Sequence, residues 1–168
     1  YLVGTAIVFI FWQLIGVLPL MGSIFIKYFK EGNIEEMARL NEDTLMTVFD
    51  SNTTLFLMLI MFVFGLLGIY LVVKYFHKNT MKNLTTTRNK IDWSRFMFGF
   101  GLVAIFTLVM TGIDYYSNPD DYVVQFNLIP FLIMAVIAIL LIPLQTSMEE
   151  YFFRGYLMQG IGALVKNR

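Results

Sequence analysis

Apolar residues along this chain do not alternate with polar ones; they run together. Four stretches, residues 2–26, 55–73, 96–113 and 128–144, are dominated by Leu, Ile, Val, Phe and Met. A helix needs about 20 such residues to cross roughly 30 Å of hydrocarbon, and each stretch approaches or exceeds that length. Phe, Met and Leu recur all round each stretch rather than on one stripe, unlike the one-sided helices of a soluble core. The first is interrupted by Gln13, Gly16 and Pro19; the third contains Gly99 and Gly101. The second has no charge, and the fourth has Pro130 near its start and Pro143 near its end. The pattern predicts an all-α, polytopic transmembrane helical bundle of about four spans in a single membrane domain, residues 1–168. A C-terminal helix over residues 146–165 continues the fourth span or kinks away from it. As one helix, residues 128–165 would be about 57 Å long at 1.5 Å per residue, too long for an upright span. A kink at Pro143, or a turn into an interfacial helix, is therefore expected.

Composition agrees: 58% of the residues are hydrophobic and 14% charged, against about 25% charged in a typical soluble domain. With no cysteine, disulfides, thiolate metal sites and a cysteine nucleophile are excluded. The chain opens on an apolar run without a basic leader or a small-residue cleavage site, so no signal peptide is expected. It begins without Met and stops at Lys166-Asn167-Arg168, so the expectation is the N-terminal portion of a longer protein.

Net charge is zero, but the charges are unevenly placed. The second loop holds Lys74, Lys78, Lys82, Arg88, Lys90 and Arg95 against Asp92. The first holds Glu31, Glu35, Glu36, Glu42, Asp43 and Asp50 against Lys27, Lys30 and Arg39, and the third only Asp114, Asp120 and Asp121. The positive-inside rule then predicts a cytoplasmic second loop and external first and third loops. The C-terminal end of the fourth span, with Lys166 and Arg168, is then expected on the cytoplasmic side of the cell membrane. Ile34, Met37, Ala38, Leu40 and Leu45 interleave with acids in the first loop, which fits a short interfacial helix or a solvated linker equally. Trp12, Trp93 and the Tyr115-Tyr116 pair suit interfacial anchors, Trp93 and the tyrosines best. Asn52-Thr53-Thr54 and Asn83-Leu84-Thr85 match the glycosylation pattern, a match too short to be specific.

Chemistry concentrates in residues 144–167, L-Q-T-S-M-E-E-Y-F-F-R-G-Y-L-M-Q-G-I-G-A-L-V-K-N. Glu149, Glu150 and Arg154 stand at the end of an apolar span, where a charged side chain is costly and rarely idle. On a helix, residues four apart are neighbours, so Glu150 and Arg154 form an i,i+4 pair with the acid first, the favoured order. Glu149 points about 100° away with no cation in helical reach. Apolar surroundings disfavour its charged form, which suits general acid–base work. Gln145, Phe152 or Phe153, and Tyr156 are expected on the face of Glu149, where Gln145 and Tyr156 could orient water or a peptide carbonyl. Gly155, Gly160 and Gly162 allow helices to approach closely. A plainer reading is a capping box: Thr146-x-x-Glu149 and Ser147-x-x-Glu150 fit a helix restarting after Pro143. That accounts for the acids but not for Arg154.

At these residues the chain resembles the CPBP intramembrane proteases, related to CAAX prenyl endopeptidases and bacteriocin-processing enzymes. Their first motif, Glu-Glu-x-x-x-Arg, stands here as Glu149-Glu150-Tyr151-Phe152-Phe153-Arg154. The flanking Gln145-Thr146-Ser147 and Gly155-Tyr156-Leu157 look like the family's bacterial branch. The resemblance covers about twenty residues. It implies peptide-bond hydrolysis at the cytoplasmic side of a bacterial cell membrane, with Glu149 activating water and Glu150 and Arg154 shaping the site. Gln145, Phe153 and Tyr156 would line the substrate. The implied partners are the lipid bilayer and the C-terminal segment of a peptide or protein, prenylated or not, with no role for nucleic acid. The family's later Phe-x-x-x-His and His-x-x-x-Asn or Asp motifs are absent from this sequence, whose single histidine, His77, reads as an ordinary solvated loop residue. No cofactor is identifiable, and a divalent metal such as zinc would require histidines outside this chain. The chain alone is expected to be inactive. A non-enzymatic membrane scaffold or immunity protein, or an ion- or proton-coupled transporter fragment, is the alternative.

Overall fold

The four apolar runs become four long helical segments, Leu2–Glu31, Ser51–Phe76, Trp93–Ser117 and Leu128–Gly162, each long and apolar enough to cross a membrane. The computed structural model describes residues 1–37, 39–81, 84, 92–123 and 126–165, and no strand occurs among them. Expectations that concern Ala38, Lys82, Asn83, Arg88, Lys90, Lys166 and Arg168 lie outside the described residues. The fold is all-α, as the apolar runs require. Two units are distinguished, one of residues 1–85 with 129–168 and one of residues 86–128.

In the larger unit, α1 (Leu2–Phe9) passes into a π-wound turn, Ile10–Ile15, and then into α2 (Leu18–Glu31). Pro19 stands in the first turn of α2, where its missing N–H breaks no helical bond. Gly32 ends α2 at φ 75°, a left-handed turn that favours glycine. The first loop then forms two short helices, α3 (Ile34–Met37) and α4 (Glu42–Leu45). Asn41 and Thr44 cap α4 reciprocally, with N–H to side-chain oxygen distances of 2.9 and 2.8 Å. Asp50 caps α5 (Ser51–Leu71) by accepting from the Thr53 hydroxyl at 2.7 Å and its N–H at 3.1 Å. Those bonds hold the Asp50 carboxyl below its ordinary range. Beyond α5 the chain winds into a second π segment, Val72–Phe76.

The smaller unit contains α6 (Trp93–Ser117), capped by Asp92 and exposed along its length. Trp93 at its start, and Tyr115 and Tyr116 at its end, are exposed, as interfacial anchors would be. A short 3-10 turn, Pro119–Asp121, follows.

The fourth segment comprises α7 (Leu128–Glu149), a third π segment (Glu150–Leu157) and α8 (Met158–Val165). Helical winding passes through Pro143 without a break, so the fourth segment continues past that residue. The turn after the proline is braced by hydroxyls. Ser147 donates to the Pro143 carbonyl at 2.6 Å, and Thr146 reaches the Ile142 and Pro143 carbonyls at 3.1 and 3.2 Å. Both side chains are therefore mid-helix donors, and the capping-box reading fails. Winding changes at Glu150 instead, at the first residue of the Glu150–Arg154 pair.

The core of the larger unit joins three of these segments. Val8 of the first, Ile69, Val72 and Val73 of the second, and Met148, Phe152 and Tyr156 of the fourth are buried together. Each segment carries a π-wound stretch beside this core. Two glycines make the approach possible. A Cβ on Gly4 would fall onto the Tyr156 hydroxyl, and one on Gly65 would stand 2.6 Å from the Met148 methyl carbon. Trp12 packs here too, 5.6 Å from the ring of Phe62 and 6.2 Å from that of Phe152. It is a helix-packing residue rather than an interfacial anchor.

Candidate functional site

The candidate site is built on one helical stretch, from Gln145 to Tyr156. Met148, Phe152 and Tyr156 are 0%, 4% and 1% exposed, which makes this stripe the side facing the core. Four-residue steps overshoot the 3.6-residue turn of an α-helix and undershoot the wider turn of a π-helix. A change from one winding to the other after Glu149 therefore keeps the three side chains in line.

That geometry leaves the acids off the core face. The Glu150–Arg154 pair forms as expected, with Arg154 Nη1 3.0 Å from Glu150 Oε2. Both partners stand in the open, Glu150 57% and Arg154 81% exposed. Glu149 is half-buried and accepts a long hydrogen bond, 3.4 Å, from the Gln145 side-chain amide one turn earlier. No cation among the described residues pairs with it. The structure thus divides the two acids: Arg154 holds Glu150, and among the described residues Glu149 has a hydrogen bond from the Gln145 amide and no ion pair.

Tyr156 does not share that face. It points into the core, where its hydroxyl lies 2.9 Å from His77 Nε2 and donates to the Tyr1 carbonyl at 3.3 Å. The rings of Tyr1 and His77 pack with centroids 4.8 Å apart. Tyr156 is thus a packing and cross-linking residue, and its expected place on the substrate lining is corrected. The reason is winding: seven residues after Glu149, the π turns carry the side chain round to the core. Phe153 is half-exposed and meets the Phe152 ring edge-on at 5.1 Å. Of the expected lining, Gln145 and Phe153 remain accessible.

His77 was read as a solvated loop residue. It is exposed, yet it ties the end of the second segment to the motif helix through Tyr156. Tyr1, Val73, His77, Asn79, Leu84, Tyr156 and Gln159 enclose a cleft of about 30 Å³. Two further residues escaped sequence reasoning. The Trp12 indole Nε1 is a buried donor with no partner among the described residues, a rare state for such a group. Gly4 marks the closest helix approach to Tyr156; its small size beside an aromatic-rich span was the one signal available. The predicted packing glycines divide: a Cβ on Gly155 would stand 2.9 Å from Leu84 and one on Gly160 2.9 Å from Tyr1, whereas Gly162 faces open space. The first glycosylation-pattern residue, Asn52, donates its amide to the Pro130 carbonyl at 2.9 Å.

Among the described residues no three His, Cys, Asp or Glu side chains gather as a metal would need. Glu149 and Glu150 alone do not fit a divalent ion, since Glu150 is engaged by Arg154.

The chain is similar to an uncharacterized protein of Bacillus subtilis (strain 168), YyaK, with 35% identity over 119 residues, or 70% of this chain. It spans only 40% of that relative's length. No family model matches the sequence, and no solved structure matches it.

Proposed function

We propose that this chain is the N-terminal part of a CPBP-type intramembrane endopeptidase, a multi-pass bacterial membrane protein that cuts peptide bonds at the cytoplasmic side. The observation that carries the reading is the division of the two acids. Glu150 is neutralised by Arg154 at 3.0 Å, while Glu149, half-buried, is met only by the Gln145 amide at 3.4 Å. A carboxylate free of a cation and partly withdrawn from water is a competent general base. The string Glu149-Glu150-Tyr151-Phe152-Phe153-Arg154 adds the family resemblance.

In this reading Glu149 takes a proton from water as the water oxygen bonds to the substrate carbonyl carbon. It returns that proton to the amine as the peptide C–N bond breaks. Gln145 orients the carboxylate, and the half-exposed Phe153 supplies apolar contact for the substrate. The remaining groups, the family's histidines, lie outside this chain, and any divalent metal would be held through them. The basic second loop supports a cytoplasmic edge for the motif under the positive-inside rule.

The test is proteolysis by the full-length protein in detergent, mixed with membrane proteins of its host and read as newly formed peptide termini. Glu149→Gln should lower cleavage at least a hundredfold, the range that general-base removal spans, with helicity unchanged. Undiminished cleavage would remove Glu149 from this role. A wild-type protein that generates no termini would favour the scaffold or ion-coupled alternative.

A further inference from the structure

The end of the second segment carries a cleft, largely apolar with a few polar groups, that the proposed chemistry does not use. Tyr70, Val73, Lys74, Asn79, Thr80 and Met81 line a cavity of about 240 Å³. The chain is folded back to make it. After the second π segment, Lys78 takes a left-handed φ of 48°. The His77 and Asn79 N–H groups then donate back to the Val72 and Val73 carbonyls at 3.1 and 3.0 Å. Thr80 N–H donates to the Asn79 side chain at 2.9 Å, which braces this part of the lining.

Lys74 is positioned rather than loose. Its ammonium donates to the Tyr70 hydroxyl at 2.8 Å and lies 5.1 and 5.5 Å from the ring centroids of Tyr70 and Tyr75. An ammonium has three donors and only one is engaged by Tyr70. The Tyr70 hydroxyl accepts that bond and keeps its own proton to donate. Two donor groups thus stand together in the lining, which also includes Thr80. None of the six lining residues is acidic. Val73 and Met81 give the floor an apolar surface, and Tyr70 carries that surface onto the exposed flank of α5.

A fixed cation, adjacent hydroxyl donors and an apolar path meet at the end of an apolar helix. The chemistry that fits is a phosphodiester with hydrocarbon attached. We propose that this cleft binds the headgroup of one anionic phospholipid, its phosphate on Lys74 and Tyr70 and its acyl chains along α5. The site sits at the loop that holds the chain's excess of Lys and Arg, and basic pockets beside membrane helices bind such headgroups. The inference rests on the segment Ser51–Phe76 crossing a membrane and is independent of Glu149.

The experiment places the full-length protein in nanodiscs of equal phosphatidylglycerol and phosphatidylcholine and counts retained lipids by native mass spectrometry after release. Wild type should retain one phosphatidylglycerol in preference to phosphatidylcholine. Lys74→Gln should lower that preference about fivefold, the equivalent of roughly 1 kcal/mol per basic residue at a membrane surface. Tyr70→Phe should lower it less, and Arg95→Gln, which removes a charge from the same basic loop but not from the cleft lining, should leave it unchanged. Equal losses from Lys74→Gln and Arg95→Gln would show diffuse charge attraction and overturn the site. So would a wild-type protein without preference, or a well-folded Lys74→Gln variant that keeps it. Displacement of the lipid by millimolar inorganic phosphate would make the free anion the ligand and overturn the lipid assignment. Should Lys74→Gln fail to fold, Tyr70→Phe and Thr80→Val in the same assay decide the matter.

Discussion

Phe152 and Phe153 are neighbours in sequence and opposites in environment. Phe152 is 4% exposed, wedged among Val8, Val72 and Trp12 on the core side of the motif helix, whereas Phe153 is 50% exposed beside the acids. The same division runs along the whole stretch: Met148, Phe152 and Tyr156 hold the helix in place, and Gln145, Glu149, Glu150, Phe153 and Arg154 are left to meet something else. Polarity marks part of this division, since Gln145, Glu149, Glu150 and Arg154 share the open side. It does not choose between Phe152 and Phe153, and there close packing against apolar helices decides.

The largest expected effect separates the two phenylalanines. Phe152→Ala should destabilise the protein by about 3–5 kcal/mol, the usual cost of emptying a buried aromatic position, and Phe153→Ala should cost well under half of that. Thermal unfolding of both variants in detergent checks this, and equal losses would break the distinction between the faces. Gly4→Ala comes next. A methyl there collides with the Tyr156 hydroxyl, and overpacking of this kind costs about 1–3 kcal/mol. Gly162→Ala, which meets nothing within 4 Å, should be neutral or stabilising by up to about 1 kcal/mol. The pair compared by the same melt tests whether close approach occurs on the Tyr156 side alone. Tyr156→Phe removes the hydroxyl shared with His77 and Tyr1 and should cost about 1 kcal/mol. Combining it with His77→Ala should give less than the sum of the two losses, since both delete one hydrogen bond. Additive losses would dissolve the link.

The smallest effect is on the open face. Arg154→Ala breaks the pair with Glu150, but at 81% and 57% exposure the pair is screened, and its loss should cost less than about 1 kcal/mol. If the full-length protein is the protease proposed above, Arg154→Ala should depress its cleavage far more than it lowers the melting temperature. A melt shifted as far as that of Phe152→Ala would place the pair in a buried setting instead.

Several residues show how far local pattern reaches. The Glu150–Arg154 pair and the Gln145–Glu149 contact were both legible, because each joins residues four apart on one helix. The apolar runs were legible too, and the helices extend beyond them by several residues: residues 55–73 became Ser51–Phe76, with Asp50 as the cap. Tyr156 was not legible. Its position depends on the change of winding at Glu150, which no residue type announces. His77 was misplaced because its partner lies 79 residues away. Trp12 looked like an anchor because tryptophan favours interfaces, and tertiary packing overrode that preference.

By itself the sequence determined the all-α class, the four helices long and apolar enough to cross a membrane, the absence of cysteine from the chain and the pairing of Glu150 with Arg154. Each of these follows from local length, composition or helical spacing. Only the tertiary structure decided which neighbours the motif helix packs against, that winding carries through Pro143, and that Tyr1, His77 and Tyr156 meet. A helix that is apolar all round holds no stripe to say which way it faces. That choice is made by the fit of small residues such as Gly4 and Gly65 against large ones such as Tyr156 and Met148, a property of the helices together.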